Sequence, residues 1–184
     1  MADVREHRHR DTRDSLYAAA IALFGRRGFT AVTVEEIAAA AGVSRRTAYR
    51  RFRSKDDILL EMPRRWLAAF DRATVGLTGP AGVRAGSLAV SSYIDDHRAD
   101  TLVGLRALAD APSLNGASVA HDDWHDRVVG LLVADGFAPT RASMLAGAYL
   151  GGVNSMVTMW AGADGASSLV EMNETLDDLL CAIW

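Results

Sequence analysis

Apolar residues recur along this chain at helical spacing, and no stretch alternates apolar and polar residues as a half-buried strand would. A first helix is expected over residues 12–27, and Gly28 is expected to end it. Its apolar face, with members spaced i, i+4, i+7 and i+8, consists of Leu16, Ala20, Leu23 and Phe24. The pattern predicts an all-α protein.

Three helix starts in the first third of the chain have a side chain suited to capping. Thr33 is followed three residues later by Glu36, the spacing of a capping box, so a second helix is expected to start there. Ser44 and Ser54 precede a third and a fourth helix in the same way. The second and third helices are separated only by residues 41–44. Two short helices joined by so tight a turn are typical of a helix-turn-helix.

The rest of the chain is expected to form longer helices. Pro63 lies inside the fourth helix and is expected to kink or split it, and Gly79-Pro80 marks a boundary. Further helices are expected at about 81–97, 100–111, 117–135, 140–162 and 167–183. We therefore predict two domains, an N-terminal arm with a helix-turn-helix domain over residues 1–54 and a helical bundle over residues 55–184.

Charge is distributed unevenly between the two parts. Residues 1–56 carry 12 basic and 7 acidic groups, whereas residues 57–184 carry 8 basic and 16 acidic groups, within a net charge of −3. A basic first third indicates that this part meets a polyanion. The first ten residues have no apolar period, so they are expected to form a mobile arm.

The predicted third helix concentrates arginine on its exposed side, at Arg45, Arg46, Arg50 and Arg51. Arg46 and Arg50 stand at i, i+4, where like charges repel, and an anionic partner would remove that cost. Arginine binds phosphates and reads guanine in the major groove of DNA. This helix is therefore predicted to be a recognition helix for duplex DNA.

The segment from Thr33 to Leu59, TVEEIAAAAGVSRRTAYRRFRSKDDIL, resembles the DNA-binding signature of the TetR/AcrR family of bacterial transcriptional regulators. Ala22-Leu23-Phe24, Gly28-Phe29 and Val32-Thr33 match it too, so the resemblance covers about residues 12–60. It implies an all-α homodimer with a three-helix DNA-binding head and a C-terminal body for ligand binding and dimerisation. It also implies a function, most simply a repressor that leaves a palindromic operator when a small apolar effector swings the helix over residues 55–73.

By position, the resemblance assigns base contacts to Arg45, Arg46 and Thr47 and phosphate contacts to Thr33, Tyr49 and Lys55. The ring of Tyr49 is expected to point inward with its hydroxyl on a phosphate, and a solvated surface lysine is the alternative for Lys55. Arg5, Arg8 and Arg10 of the arm are expected to reach a minor groove. The full set of predicted DNA-binding residues is Thr33, Ser44, Arg45, Arg46, Thr47, Tyr49, Arg50 and Lys55. Arg46 and Ala48 depart from the residues usual in the family, which leaves the operator sequence open.

Bulky apolar residues in the second domain fit either a hydrophobic core or a pocket for a flexible apolar ligand. The predicted pocket residues are Trp66, Phe70, Leu105, Trp124, Met144, Tyr149 and Asn154. Tyr149 and Asn154 would supply polar groups to the pocket, or would pair across a dimer interface. Small residues four apart in 141–163 favour close packing against 167–183 in a homodimer. The predicted interface residues are Gly147, Gly151, Met172, Leu176 and Leu179. Such a dimer would place two recognition helices one turn of DNA apart.

Other classes of function fit the sequence less well. Residues 142–163 are uncharged and long enough to span a bilayer, but they are only weakly hydrophobic, so a cytoplasmic protein is expected and a membrane-associated protein is an alternative. His121 and His125 stand at metal-binding spacing without an evident third ligand, so no metal is expected. No catalytic motif is present, and neither an enzyme activity nor a cofactor is expected. A helical small-molecule or metal sensor that does not bind DNA is the other alternative.

Overall fold

The computed structural model describes residues 2–111 and 118–180, with side chains at 12–111 and 122–179. Within these ranges every regular element is an α-helix, as predicted. The helices are α1 (Ala2–Arg27), α2 (Val34–Ala40), α3 (Arg45–Arg51), α4 (Lys55–Leu59), α5 (Glu61–Ala73), α6 (Gly79–Asp96), α7 (Arg98–Ala109), α8 (Ser118–Ala134), α9 (Pro139–Gly162) and α10 (Leu169–Leu180).

Two boundaries differ from the sequence prediction. Helix α1 begins at Ala2 rather than at residue 12, so the backbone of the predicted mobile arm is helical. Residues 2–11 contain neither proline nor glycine to stop a helix, and Arg and Glu are good helix formers. The minor-groove contacts predicted for Arg5, Arg8 and Arg10 lie outside the described side chains. The predicted fourth helix is split at Leu60 into α4 and α5, which confirms the effect expected of Pro63.

All three predicted caps are present. Thr33 and Glu36 form the complete capping box of α2, with each side chain bonded to the backbone of the other residue. The Ser44 hydroxyl accepts from the backbone N–H of Thr47 at 3.1 Å, and the Ser54 hydroxyl accepts from that of Asp57 at 3.1 Å. Each cap hydroxyl gives an acceptor to one of the four otherwise unpaired N–H groups at the start of its helix, which helps to fix where these helices of 7, 7 and 5 residues begin.

The chain forms two compact units that do not follow the order of the sequence. The first unit contains residues 1–62 and 99–116, and the second contains residues 63–98 and 117–184. Most of α7 thus belongs to the unit that holds α1 to α4. A Cβ added at Gly104 would lie 2.5 Å from the sulfur of Met62. The missing side chain therefore allows α7 to pack closely against Met62.

The core of the first unit is built on the predicted apolar face of α1. Leu16, Ala20, Leu23 and Phe24 are all buried there. The ring of Phe24 meets that of Phe29 edge to face, with centroids 5.1 Å apart. Ala48 and Phe52 bury the inner side of α3 in the same core. This packing fixes which side of α3 faces outward.

The core of the second unit joins α5, α6, α8 and α9. Its buried members are Phe70, Val83, Val128, Leu132, Ala142, Ala146 and Tyr149. The Phe70 ring lies directly over Gly86, where an added Cβ would come within 2.4 Å of it. Phe70 also packs edge to face against Trp124, with ring centroids 5.4 Å apart.

Asp95, near the end of α6, anchors the start of α10. Its carboxylate accepts from the backbone N–H groups of Leu169 and Val170 at 3.1 and 3.2 Å and from the Ser168 hydroxyl at 2.8 Å. Arg98 donates to the same carboxylate at 3.0 Å. Partial burial alone would raise the pKa of Asp95, but these hydrogen bonds outweigh burial, and the pKa is lowered below its usual value.

We expect Asp95→Asn to destabilise the chain by about 1–3 kcal/mol at pH 7, because an amide cannot accept all of these bonds. Since folding lowers the pKa of Asp95, its contribution is complete above the unfolded value of about 4 and disappears as the pH falls through the folded value. The difference in the free energy of unfolding between wild type and Asp95→Asn should therefore be smaller at about pH 3 than at pH 7. Urea unfolding followed by circular dichroism measures both.

Asp96→Asn is the matched control, because it removes a neighbouring exposed carboxylate. Such surface changes are usually within about 0.5 kcal/mol. Equal stability of the Asp95 and Asp96 variants at pH 7 would contradict the anchoring role.

Candidate nucleic-acid interface

Helix α3 presents a basic outer side. Ala48 and Phe52 are buried behind it, while Arg45, Arg46 and Arg50 are exposed. No ion pair to Arg46 or Arg50 is present within the described part of the chain. Both guanidinium groups are therefore available to an external anion.

Arg51 lies half-buried at the end of α3. Within the described residues its Nε has no hydrogen-bond partner. Loss of hydration lowers the pKa of Arg51, and repulsion from Arg50 and Arg13 lowers it further. Positive charge is thus crowded at this end of the helix, and an anion bound beside it would lower the electrostatic energy.

Tyr49 and Arg45 share one acidic partner, Glu35 of α2. The Tyr49 hydroxyl donates to Glu35 Oε1 at 3.0 Å, and Arg45 Nη2 lies 3.0 Å from the same oxygen. Tyr49 is 42% exposed, so the prediction that its ring points inward is wrong. Sequence reasoning missed Glu35, whose only signal was its place on the outer side of the first turn of α2.

The hydroxyls of Thr33 and Ser44 are engaged in caps. Thr33 Oγ1 donates to Glu36 Oε2 at 3.0 Å, and the Ser44 hydroxyl is 2.9 Å from that of Thr47. Arg27 donates to Glu36 at 2.7 Å, and this bond together with the two from Thr33 lowers the pKa of Glu36 to about 2. Both caps are exposed, and their phosphate contacts stay a prediction.

Lys55 has partners within its own unit. Its Nζ donates to the carbonyls of Phe29, Thr30 and Val32 at 2.7, 3.3 and 3.2 Å, and it lies 4.3 Å from the centroid of the Phe29 ring. An ammonium has three protons, and all three are directed at the loop between α1 and α2. Lys55 is therefore neither a solvated surface lysine nor placed to bind a phosphate. Its hydrogen bonds stabilise the loop between α1 and α2.

The residues predicted to line a pocket do not all belong to one unit. Phe70, Trp124 and Tyr149 meet in the core of the second unit, and Trp66 is half-buried in the same unit. Leu105 belongs to the first unit. Met144 is 72% exposed and Asn154 is exposed, so placing these two in an interior pocket was wrong. Both stand on the outer face of α9, because the buried face is taken by Ala142, Ala146, Tyr149, Met156 and Trp160.

The residues predicted for a dimer interface lie on or beside that outer face. Gly147 and Gly151 are exposed, and a Cβ added at either would meet no atom within 4 Å. Leu179 of α10 is 72% exposed, while Met172 and Leu176 are half-buried. The outer face of α9 carries no charge between Arg141 and Asp164. A wide uncharged face with exposed methionines, Met144 and Met159, is typical of a surface that a partner covers.

Two alternative readings of the sequence concern other sites. His125 contacts Ser143, with Nε2 3.2 Å from the hydroxyl, while the side chain of His121 lies outside the description. No cluster of three metal-ligating side chains occurs within the described ranges. No described helix, α9 included, combines the length and the hydropathy that a membrane span needs.

The family model of the bacterial regulatory proteins of the tetR family matches residues 16–62, which run from α1 into the start of α5. A search of curated protein sequences finds no match.

Solved structures are similar over most of the chain. TylP, a tetR regulator from Streptomyces fradiae, shares 21% identity over 97% of this chain and 81% of its own, with a TM-score of 0.71. FadR from Bacillus subtilis in complex with stearoyl-CoA shares 19% identity over 90% and 96%, with a TM-score of 0.69. FadR from Thermus thermophilus, a TetR family repressor in complex with lauroyl-CoA, shares 21% identity over 92% and 93%, with a TM-score of 0.61.

Proposed function

Given that this chain is a transcriptional regulator of the TetR family, we propose that it is a homodimeric repressor, released from a palindromic operator by a small apolar effector. The observation that carries the proposal is the exposed basic side of α3. Ala48 and Phe52 anchor the helix from behind, and Arg46 and Arg50 are left without an internal ion pair within the described part of the chain. Bases would be read by Arg45, Arg46 and Thr47, and phosphates would be bound by Arg50 and Tyr49.

A second copy of the chain is the partner that best suits the outer face of α9. This face is uncharged, and Gly147 and Gly151 leave open space above the helix into which another helix can pack. The exposed Met144, Met159 and Leu179 would be buried by the contact. Dimerisation has a mechanical purpose here, because two recognition helices must be held about 34–36 Å apart to bind successive major grooves. We assign Asn154 to this interface rather than to a pocket.

The effector is proposed to bind in the second unit. Trp66 is half-buried, and its indole N–H has no acceptor within the described ranges. An apolar ligand with one polar atom would fill that need, beside the aromatic group of Phe70, Trp124 and Tyr149. The lauroyl-CoA and stearoyl-CoA complexes of the two FadR proteins support an acyl chain as the apolar part.

Release of DNA requires that the effector bind the released state more tightly than the DNA-bound state. Changing an operator from about 99% occupied to about 1% occupied needs a difference of about 5.5 kcal/mol. We propose that the split between α4 and α5 at Leu60 is the point at which effector binding moves the heads out of register.

Arg46→Ala is expected to weaken operator binding by about 10- to 100-fold, the loss of one bidentate base contact. The operator is selected from a random duplex library with the wild-type protein, and affinity is measured by fluorescence anisotropy at fixed salt. Arg72→Ala in α5 is the matched control, since Arg72 is also exposed, and it should change affinity by less than about twofold. A folded wild-type protein that selects no duplex would instead support a sensor that does not bind DNA.

Gly151→Leu is expected to convert the dimer into a monomer without destabilising the chain. The new side chain enters open space in the single chain, and leucine favours a helix over glycine by about 1 kcal/mol, but it blocks close approach of a second helix. Light scattering after size exclusion measures the mass. Gly130→Leu in α8 is the control, because a Cβ there also meets nothing within 4 Å. A Gly151→Leu protein that remains dimeric contradicts this interface.

Lauroyl-CoA is expected to bind the protein and to release the selected operator. At about 100 times its dissociation constant it should add about 2.7 kcal/mol of stability, which raises the melting temperature by about 5–10 °C. Coenzyme A without an acyl chain is the control and should neither stabilise the protein nor release DNA. Equal effects of the two compounds, or no effect of either, would contradict an acyl-chain effector.

A further inference from the structure

The carboxylate of Glu35 contacts two of the side chains that the proposed function assigns to DNA, those of Arg45 and Tyr49. Glu35 Oε1 is 3.0 Å from the Tyr49 hydroxyl and 3.0 Å from Arg45 Nη2. The Arg45 guanidinium also lies 5.5 Å from the centroid of the Tyr49 ring. A single anionic oxygen thus holds a hydroxyl and a guanidinium together on the outer side of α2 and α3.

This arrangement has the chemistry of a phosphate contact. A phosphate oxygen accepts from arginine and tyrosine as the Glu35 carboxylate does here. The Tyr49 hydroxyl has only one proton, and while Glu35 accepts it, that proton cannot be given to DNA. Hydrogen bonds from its own backbone N–H and from Tyr49, with attraction to Arg45, lower the pKa of Glu35, so the competing group is an anion at neutral pH.

The neighbouring charges leave this role to Glu35 alone among the described acids of α2. Glu36 is engaged by Arg27 and by the capping box of Thr33. Arg46 and Arg50 have no ion pair within the described part of the chain, so Glu35 engages Arg45 and leaves these two arginines exposed.

We propose that Glu35 is an internal competitor for DNA, which holds Arg45 and Tyr49 in the unbound protein and must release them when a phosphate binds. The inference rests on the proposed function. Glu35 then lowers the affinity for DNA, because the contacts of Glu35 with Arg45 and Tyr49 must break before these two side chains can bind a phosphate. A carboxylate left beside the incoming phosphate would repel it as well.

The test measures binding of a fluorescein-labelled mixed-sequence duplex of about 40 base pairs by anisotropy at fixed low salt. Glu35→Gln keeps the shape of the side chain but removes its charge, and we expect it to bind about three- to fivefold more tightly than wild type, as expected for the loss of an exposed ion pair. Glu35→Ala should change affinity in the same direction. Glu35 is partly exposed, so both variants should fold, and their unfolding curves verify this. Asp96→Asn makes the same change in net charge and is the control.

A double-mutant cycle separates competition from a simple change in charge. In an R45A/Y49F background Glu35 has nothing left to hold, so E35Q should strengthen binding clearly less than it does in the wild-type background, with only the relief of charge repulsion remaining. An equal gain from E35Q with and without Arg45 and Tyr49 would overturn the inference, because Glu35 would then act on DNA only through its charge. A wild-type protein that binds the duplex while E35Q matches D96N overturns this inference alone, whereas a folded wild type that binds no duplex overturns the proposed function with it.

Discussion

The interface depends on the way in which a helix too short to be stable alone is held against its own unit. Helix α3 has seven residues, and isolated helices of fewer than about 12–15 residues are marginal in water. Ala48 and Phe52 bury its inner side, and Ser44 caps its start. Only this anchoring allows four arginines to be crowded into one helix, because their mutual repulsion works against the fold. The basic surface is therefore maintained by the apolar residues behind it.

Features that depend on neighbours in sequence were predicted correctly. The three caps, the apolar face of α1 and the split of the predicted fourth helix ahead of Pro63 follow from residues near one another in the sequence, and the structure has all of them. The start of α1 was placed too late because a polar, charged segment has no apolar period to reveal a helix. Gly104 shows a different limit. Gly104 allows α7 to pack against Met62, and these two residues are 42 positions apart in the sequence. No local sequence pattern could predict that contact.

Helix α9 shows why the predicted pocket and interface could not be separated in advance. Its residues from 142 to 163 are uncharged all round, so Met144 and Met156 look alike in the sequence. In the folded chain Met156 is buried with Tyr149 and Trp160, while Met144 faces outward. Hydrophobic periodicity identifies a buried face by contrast with a polar one, and here the contrast is missing because both faces suit apolar contacts. The second face is what a homodimer would use.

Counting charges in the sequence overstated the number of cations that this head can offer to DNA. Arg27 is paired with Glu36 and Arg13 with Glu61, while Lys55 is bonded to three carbonyls. These groups stabilise the loops and helix starts that position α3, and so contribute to binding only indirectly. Counterion release depends on the cations that actually meet phosphates, so the salt dependence of binding should reflect the few exposed arginines of α3 rather than the 12 basic groups of residues 1–56. In this head only part of the positive charge is presented to a partner, while Arg13, Arg27 and Lys55 stabilise the surface that presents it.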